Sequence, residues 1–157
     1  MVTTDYRLEP HTSIPYHTGV AIPVFSLRSA QSFGVGDFSD LKSFADFAAK
    51  SGMDLIQILP INDTTTFMDW RDSYPYRAIS VFALHPIYFD MAAVRDVLTA
   101  AEKVDFDGQQ KTLNALDAID YEAVLAAKWH YIKIGYEQMS KNVFASMAFL
   151  DFFAKNR

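Results

Sequence analysis

The sequence predicts an α/β fold, and three observations carry that expectation. Two apolar runs of strand type, at 19–25 (GVAIPVF) and 55–59 (LIQIL), flank a stretch of helical periodicity at 38–50. Strand, helix and strand joined by short connections make a βαβ unit, with parallel strands and a right-handed crossover. Beyond residue 87 the patterns are helical and no third convincing strand follows.

Each element has its own local reason. Residues 1–18 are polar, carry Pro10 and Pro15, and are expected to form an extended arm. The run at 19–25 is continuously apolar, as a strand buried on both faces would be. Pro23 lacks a ladder donor and belongs near that strand's end. In 38–50, Leu41, Phe44, Ala45 and Ala48 recur at helical spacing. Asp37 or Ser39 can cap this helix and Gly52 can stop it. Gly34-Val35-Gly36-Asp37 lacks the further glycine or Lys-Thr pair of a phosphate cradle and reads as a tight turn and cap. Pro60 closes the second strand run.

The stretch 61–86 is long and irregular, and it leaves the carboxyl end of the second strand. Long loops in compact domains are usually functional, and α/β sheets and barrels place their sites at that end. Helices are expected at 90–101, 120–139 and 143–155. The second has Asp120 as N-cap and Leu125, Trp129, Ile132 and Tyr136 on one face. The third is strongly apolar, with Phe144, Met147, Leu150, Phe152 and Phe153. Two parallel strands do not make a stable sheet alone. Together with that apolar last helix, this points to a piece of a longer protein; the other reading is a self-contained helical domain with a small β element.

Composition narrows the function. The chain of 157 residues is half hydrophobic and 15% aromatic, enough for a real core. Its net charge of −5 and scattered basic residues argue against nucleic acid, which needs a basic stripe. The chain lacks cysteine, which excludes disulfides and thiolate metal sites and fits a cytoplasmic location. The opening residues have no basic and apolar regions of a signal peptide, and no apolar run approaches a membrane span of about 18 residues.

The loop at 61–86 holds the candidate chemistry. Trp70, Tyr74 and Tyr76 cluster there. Aromatic faces stack on pyranose rings, and a Tyr hydroxyl can orient a sugar oxygen; alternatively the three pack under the loop. Asp63, Asp69 and Asp72 can bind sugar hydroxyls or serve turns and caps. Paired-carboxylate glycosyl chemistry needs a nucleophile and an acid about 5 Å apart. The glutamates are Glu9, Glu102, Glu122 and Glu137, and none ends an apolar strand. No catalytic residue is therefore assigned. His11, His17, His85 and His130 lack ligand spacing, so no metal site is expected, and packing is the default for His130.

Several segments together resemble one family. SLRSAQSFGVGDFSDLKSFADFAAKSGMDLIQILPIND is similar to the start of the barrel in the 4-α-glucanotransferases, also called amylomaltases or disproportionating enzymes (glycoside hydrolase family 77). DSYPYRAISVFALHPIYFDM resembles that family's Ser-Pro-Tyr…Ser-x-Phe-Ala…Pro segment. YEAVLAAKWHYIK and ASMAFLDFFAKN resemble its helices. The chain departs from the common bacterial pattern at three places. It has Ser73-Tyr74-Pro75-Tyr76 for Ser-Pro-Tyr, Ile56-Gln57 for Trp-Gln, and Leu84-His85-Pro86 for Gly-Asn-Pro. These choices resemble the branch containing the plant cytosolic enzymes.

The resemblance implies the amino-terminal part of a (β/α)8 TIM barrel with a helical insertion or subdomain. Residues 1–18 would be an arm, 19–86 the first βαβ unit with its substrate loop, and 87–157 the helical insertion, incomplete at its carboxyl end. It implies transfer of α-1,4-linked glucosyl units between maltooligosaccharides or glucans, with the reacting carboxylates on later strands outside this chain. Alternatives are a non-catalytic glucan-binding or scaffold module and a related glucan hydrolase. Tyr76 matches the tyrosine lining the donor-sugar site beside the scissile bond, and Ser73 its neighbour; Asp72, Trp70 and Arg77 follow as further substrate contacts. No metal or organic cofactor is implied. The implied partners are the glucan and the remainder of the chain, with no nucleic acid and no membrane.

Overall fold

The computed structural model describes residues 17–156. The expected arm at 1–18 lies outside them except for His17 and Thr18. The described residues form a helix-rich α/β arrangement. A two-stranded parallel sheet pairs β1 (Gly19–Ala21) with β2 (Leu55–Gln57), Gly19 opposite Leu55 and Ala21 opposite Gln57. Gly19 is required by close approach, since a Cβ there would lie 2.2 Å from the Leu55 carbonyl oxygen.

Both strands are shorter than their apolar runs. β1 stops before Pro23, where the chain turns into a 3-10 turn at Val24–Ser26. Nor is the sheet covered on both faces, as the runs predicted: Leu55 is 56% exposed. α1 (Phe38–Lys50) connects the two strands, while the later helices of the described residues pack chiefly against one another rather than on the sheet.

Asp37 caps α1, accepting the Ser39 and Asp40 N–H groups, and Asp40 reciprocates by accepting the Asp37 N–H at 3.1 Å. Gly34 enters the preceding turn at φ +78°, the left-handed region that disfavours a side chain. At Gly36 a Cβ would meet the Val24 carbonyl oxygen at 2.2 Å. The helix ends at Ser51, followed by Gly52 at φ +76°.

The core is built by the loop before α1 and by the later helices. Phe33, Phe106 and Tyr131 form an aromatic triad, with centroids 4.8, 4.9 and 6.0 Å apart. Val24, Val35, Ile87, Tyr88, Met91, Val94, Leu98, Leu113, Val124 and Leu125 complete the core.

The helical expectation at 90–101 is corrected to two helices, α2 (Ala92–Val97) and α3 (Ala100–Asn114). Leu98 turns extended at ψ 150°, and Thr99 with Glu102 forms a capping box that starts α3. The carboxyl end of α3 holds the loop before α1: Asn114 accepts the Gly34 N–H and donates to the Ser32 carbonyl.

α4 (Tyr121–Ala145) begins at Asp120 as expected and runs past residue 139. Its buried face is Val124, Leu125, Lys128, Tyr131 and Gly135, rotated from the predicted face; Tyr136 is exposed. The helix is apolar on several sides, so its pattern does not single out one stripe. Gly135 decides the orientation by admitting Val94 of α2, whose Cγ2 lies 3.1 Å from where a Cβ would stand. His130 is exposed, not packed, and meets Tyr131 edge-on. Ser146 turns extended at ψ 144° and interrupts the helix, so the last helix starts at Met147: α5 (Met147–Asn156), not at residue 143. Its Met147, Leu150, Phe152 and Phe153 are exposed.

Candidate functional site

The loop after β2 is closed at its neck by backbone pairing. Asn62 bridges Leu84 antiparallel, and His85 N–H donates to the Ile61 carbonyl at 2.9 Å. Asp63 N–H donates to the Ala83 carbonyl and its own carbonyl accepts Ile79 N–H, both at 2.8 Å. The Asn62 amide adds a bond to the Val81 carbonyl. The neck makes the intervening residues a compact loop without a regular sheet.

Inside the loop, Asp72 is the organising residue. Its Oδ2 accepts three successive backbone N–H groups: Thr66 at 3.0 Å, Phe67 at 2.8 Å and Met68 at 2.7 Å. An anion holding three amides can stabilise the left-handed backbone of Met68, φ 61°. Its main-chain carbonyl accepts the hydroxyls of Thr64 and Tyr121. Asp72 is buried, so its carboxylate shapes the loop from within.

Asp69 caps the 3-10 turn Trp70–Ser73 through the Arg71 N–H. Its carboxylate pairs with the Arg71 guanidinium at 2.6 Å, and that hydrogen bond holds the carboxyl below its usual range. The Arg71 guanidinium also lies 4.0 Å above the Phe67 ring. Trp70 N–H donates to Glu122 Oε1 at 3.2 Å, joining the loop to the start of α4. Asp63 caps its own turn at Thr65.

The aromatic side chains do not fold under the loop. Trp70 is 68% exposed, Tyr76 61% and Tyr74 56%. The two tyrosine rings stand 5.5 Å apart. Behind them lies a cleft of about 420 Å³ between the loop, the turn at Pro86–Tyr88 and the start of α4. Trp70, Asp72 and Ser73 line it with Asn62, His85, Tyr121 and Glu122. Tyr76 and Arg77 stand away from the cleft, exposed to solvent.

His85 is buried in the cleft wall. Its Nδ1 accepts the Ile87 N–H at 3.1 Å, which leaves the proton on Nε2 to donate to the Tyr121 hydroxyl at 2.6 Å. Burial pushes the imidazole pKa down, against the opposing pull of Asp63 and Asp72. Burial raises the Tyr121 phenol and takes Tyr88 up to about 12. Both phenols therefore stay neutral at neutral pH.

Sequence reasoning missed His85, Tyr121, Glu122 and Asn62 as parts of this site. The signals were thin: His85-Pro86 marks a turn, and Tyr121-Glu122 follows an N-cap Asp. Their meeting with the loop is a long-range contact. Among the described residues no group of three or more potential metal ligands forms, and no helix is long and apolar enough to cross a membrane.

A family model described as 4-alpha-glucanotransferase matches residues 22–157. The chain is 43% identical over 138 residues to 4-alpha-glucanotransferase DPE2 of Oryza sativa subsp. japonica, covering 88% of this chain and 14% of that protein. It is 35% identical over 128 residues to the 4-alpha-glucanotransferase of Chlamydia caviae, covering 82% of this chain and 23% of the relative. For the Haemophilus influenzae 4-alpha-glucanotransferase the figures are 31% over 117 residues, 70% and 16%. The chain thus spans less than a quarter of the length of these relatives.

Proposed function

The chain belongs to the 4-α-glucanotransferase family, and on that premise we propose that the whole protein transfers α-1,4-linked glucosyl or glucan segments between maltooligosaccharides or glucans. The observation that carries the site is the exposure of Trp70, Tyr74 and Tyr76 on a loop leaving the carboxyl end of a parallel strand. Exposed rings held by a rigid loop suit the apolar faces of pyranose rings, at little ordering cost on binding.

Tyr76 and Ser73 contact the donor sugar in this reading, with Trp70 and Arg77 beside them. Asp72 acts from inside the loop: with its Oδ2 bound to three amides, it sets the conformation from which the others reach the glucan. The reaction is a retaining double displacement. A carboxylate attacks the anomeric carbon and an acid protonates the leaving oxygen; a sugar hydroxyl then takes the glucosyl group in place of water. The reacting carboxylates belong to parts of the protein outside residues 1–157. Glu102 is engaged in the cap of α3, and Glu122 holds the Trp70 amide.

β1, α1 and β2 are the first elements of a (β/α)8 barrel here, with 87–157 as a helical insertion beside it. The uncovered Leu55, with Val81 and Phe82, 78% and 90% exposed, supplies apolar surface for the rest of such a barrel. The protein works in the cytoplasm on starch- or maltose-derived glucans.

Incubation of the whole protein with maltotriose tests the proposal. Glucose and chains longer than maltotriose should appear together, and the 157-residue chain alone should yield neither. Hydrolysis without longer products would replace the transferase with a hydrolase, and binding without turnover would leave a glucan-binding module.

A further inference from the structure

We infer that His85 and Tyr121 act as a pair of positioning residues that lock the aromatic loop to α4 through the backbone carbonyl of Asp72. Their effect on glucan binding rests on the proposed function of that loop. The chain of bonds is continuous. Ile87 N–H donates to His85 Nδ1 at 3.1 Å, His85 Nε2–H donates to the Tyr121 hydroxyl at 2.6 Å, and that hydroxyl donates to the Asp72 carbonyl at 3.3 Å. The imidazole is directional because Nδ1 is committed as acceptor, so Nε2 must donate. The phenol oxygen accepts from His85, which turns its own proton toward Asp72.

The far end of the chain is where leverage lies. Asp72 closes the turn Trp70–Ser73, and its carboxylate gathers the amides of Thr66, Phe67 and Met68. Fixing its carbonyl therefore fixes the base from which Trp70 and the Tyr74–Tyr76 pair project. His85 and Tyr88 pack edge-on at 5.8 Å, and His85 and Tyr121 at 6.0 Å, so the imidazole has little freedom to turn. The Thr64 hydroxyl also reaches the Asp72 carbonyl, so breaking the His85–Tyr121 arm loosens the loop without dissolving it.

Three single variants of the whole protein separate the roles. Tyr121→Phe removes the hydroxyl and keeps the ring. His85→Asn retains an acceptor near Nδ1 and loses the reach to Tyr121, whereas His85→Gln keeps a donor near Nε2 and loses the cap on Ile87. Trypsin cutting at Arg77–Ala78 reads loop mobility, with Lys141–Asn142 in α4 as the reference for general unfolding. Tyr121→Phe and His85→Asn should each speed the loop cut about five- to tenfold, as loss of one buried bond implies, and leave the reference cut unchanged. In transfer from maltotriose, both should raise KM by a similar factor with kcat within about twofold. His85→Gln should recover most of that loss, and the Tyr121→Phe/His85→Asn double variant should be no worse than either single one. An unchanged loop cut in Tyr121→Phe, or equal defects in His85→Asn and His85→Gln, overturns the inference. A faster loop cut with unchanged KM supports the lock and instead overturns the assignment of the loop to substrate.

Discussion

The ammonium of Lys128 lies 2.7 Å from the carbonyl oxygen of Ile87 and is fully buried. It donates a second bond to Phe89 at 2.9 Å, and so ties α4 to the turn that carries His85. Burial pushes its pKa from 10.5 to about 8, while Asp37, Asp40 and Asp90 pull upward. Between these two values the unfolded state binds more protons than the folded one. Stability should therefore rise as pH climbs from about 8 toward 10.5, and the full cost of burying the charge remains below pH 8. The rise is on the order of 3 kcal/mol over the window. Urea unfolding at pH 7.5 and pH 10 measures it; an equal rise in Lys128→Met would assign the effect elsewhere.

Asp72→Ala should destabilise the loop more than Asp72→Asn, because the amide oxygen of Asn can still accept. Loss of a charged acceptor from three amides costs roughly 2–3 kcal/mol locally. Hydrogen exchange should accelerate at Thr66, Phe67 and Met68 while the aromatic triad of the core stays protected. Uniform acceleration across the chain would contradict a local role.

Gly34→Ala should cost about 2 kcal/mol or more. The position sits at φ +78°, and a Cβ would stand 2.7 Å from Val124 Cγ2 and 2.8 Å from Leu113 Cβ. Thermal unfolding reads the loss, and Gly52→Ala is the comparison: it shares the backbone strain, φ +76°, but has no neighbouring atom within 4 Å. Equal losses at the two sites would remove packing from the explanation.

Tyr76→Ala should leave stability within about 0.5 kcal/mol, since the ring is 61% exposed. On the proposed function it should weaken maltooligosaccharide binding by the whole protein about tenfold, the scale of a lost ring contact. Calorimetric titration beside a urea curve separates the two effects. Unaltered binding would take Tyr76 out of the sugar site.

Local chemistry was legible in the residues themselves. Asp37, the stripe Leu41–Phe44–Ala48 and Gly52 place α1 at its observed limits, because capping and periodicity act over a few residues. Asp120 marks the start of α4 for the same reason. The capping box Thr99–Glu102 is equally local but does not enter the sequence reading, so the helix expected at 90–101 runs across the break at Leu98 and leaves out α3 beyond Ala101. The aromatic loop was readable as unusual because three large rings fall in a polar stretch.

What tertiary structure alone decided is which groups meet. Tyr121 is 36 residues from His85 and 49 from Asp72, and their hydrogen bonds exist only once α4 docks. The buried face of α4 also depended on docking: a helix apolar on several sides is oriented by its partners, here by Val94 at Gly135 and by carbonyls that claim Lys128. Capping, turns and periodicity are short-range and travel with the sequence. Burial and long-range hydrogen bonds are properties of the assembled chain, set by which surfaces exclude water together.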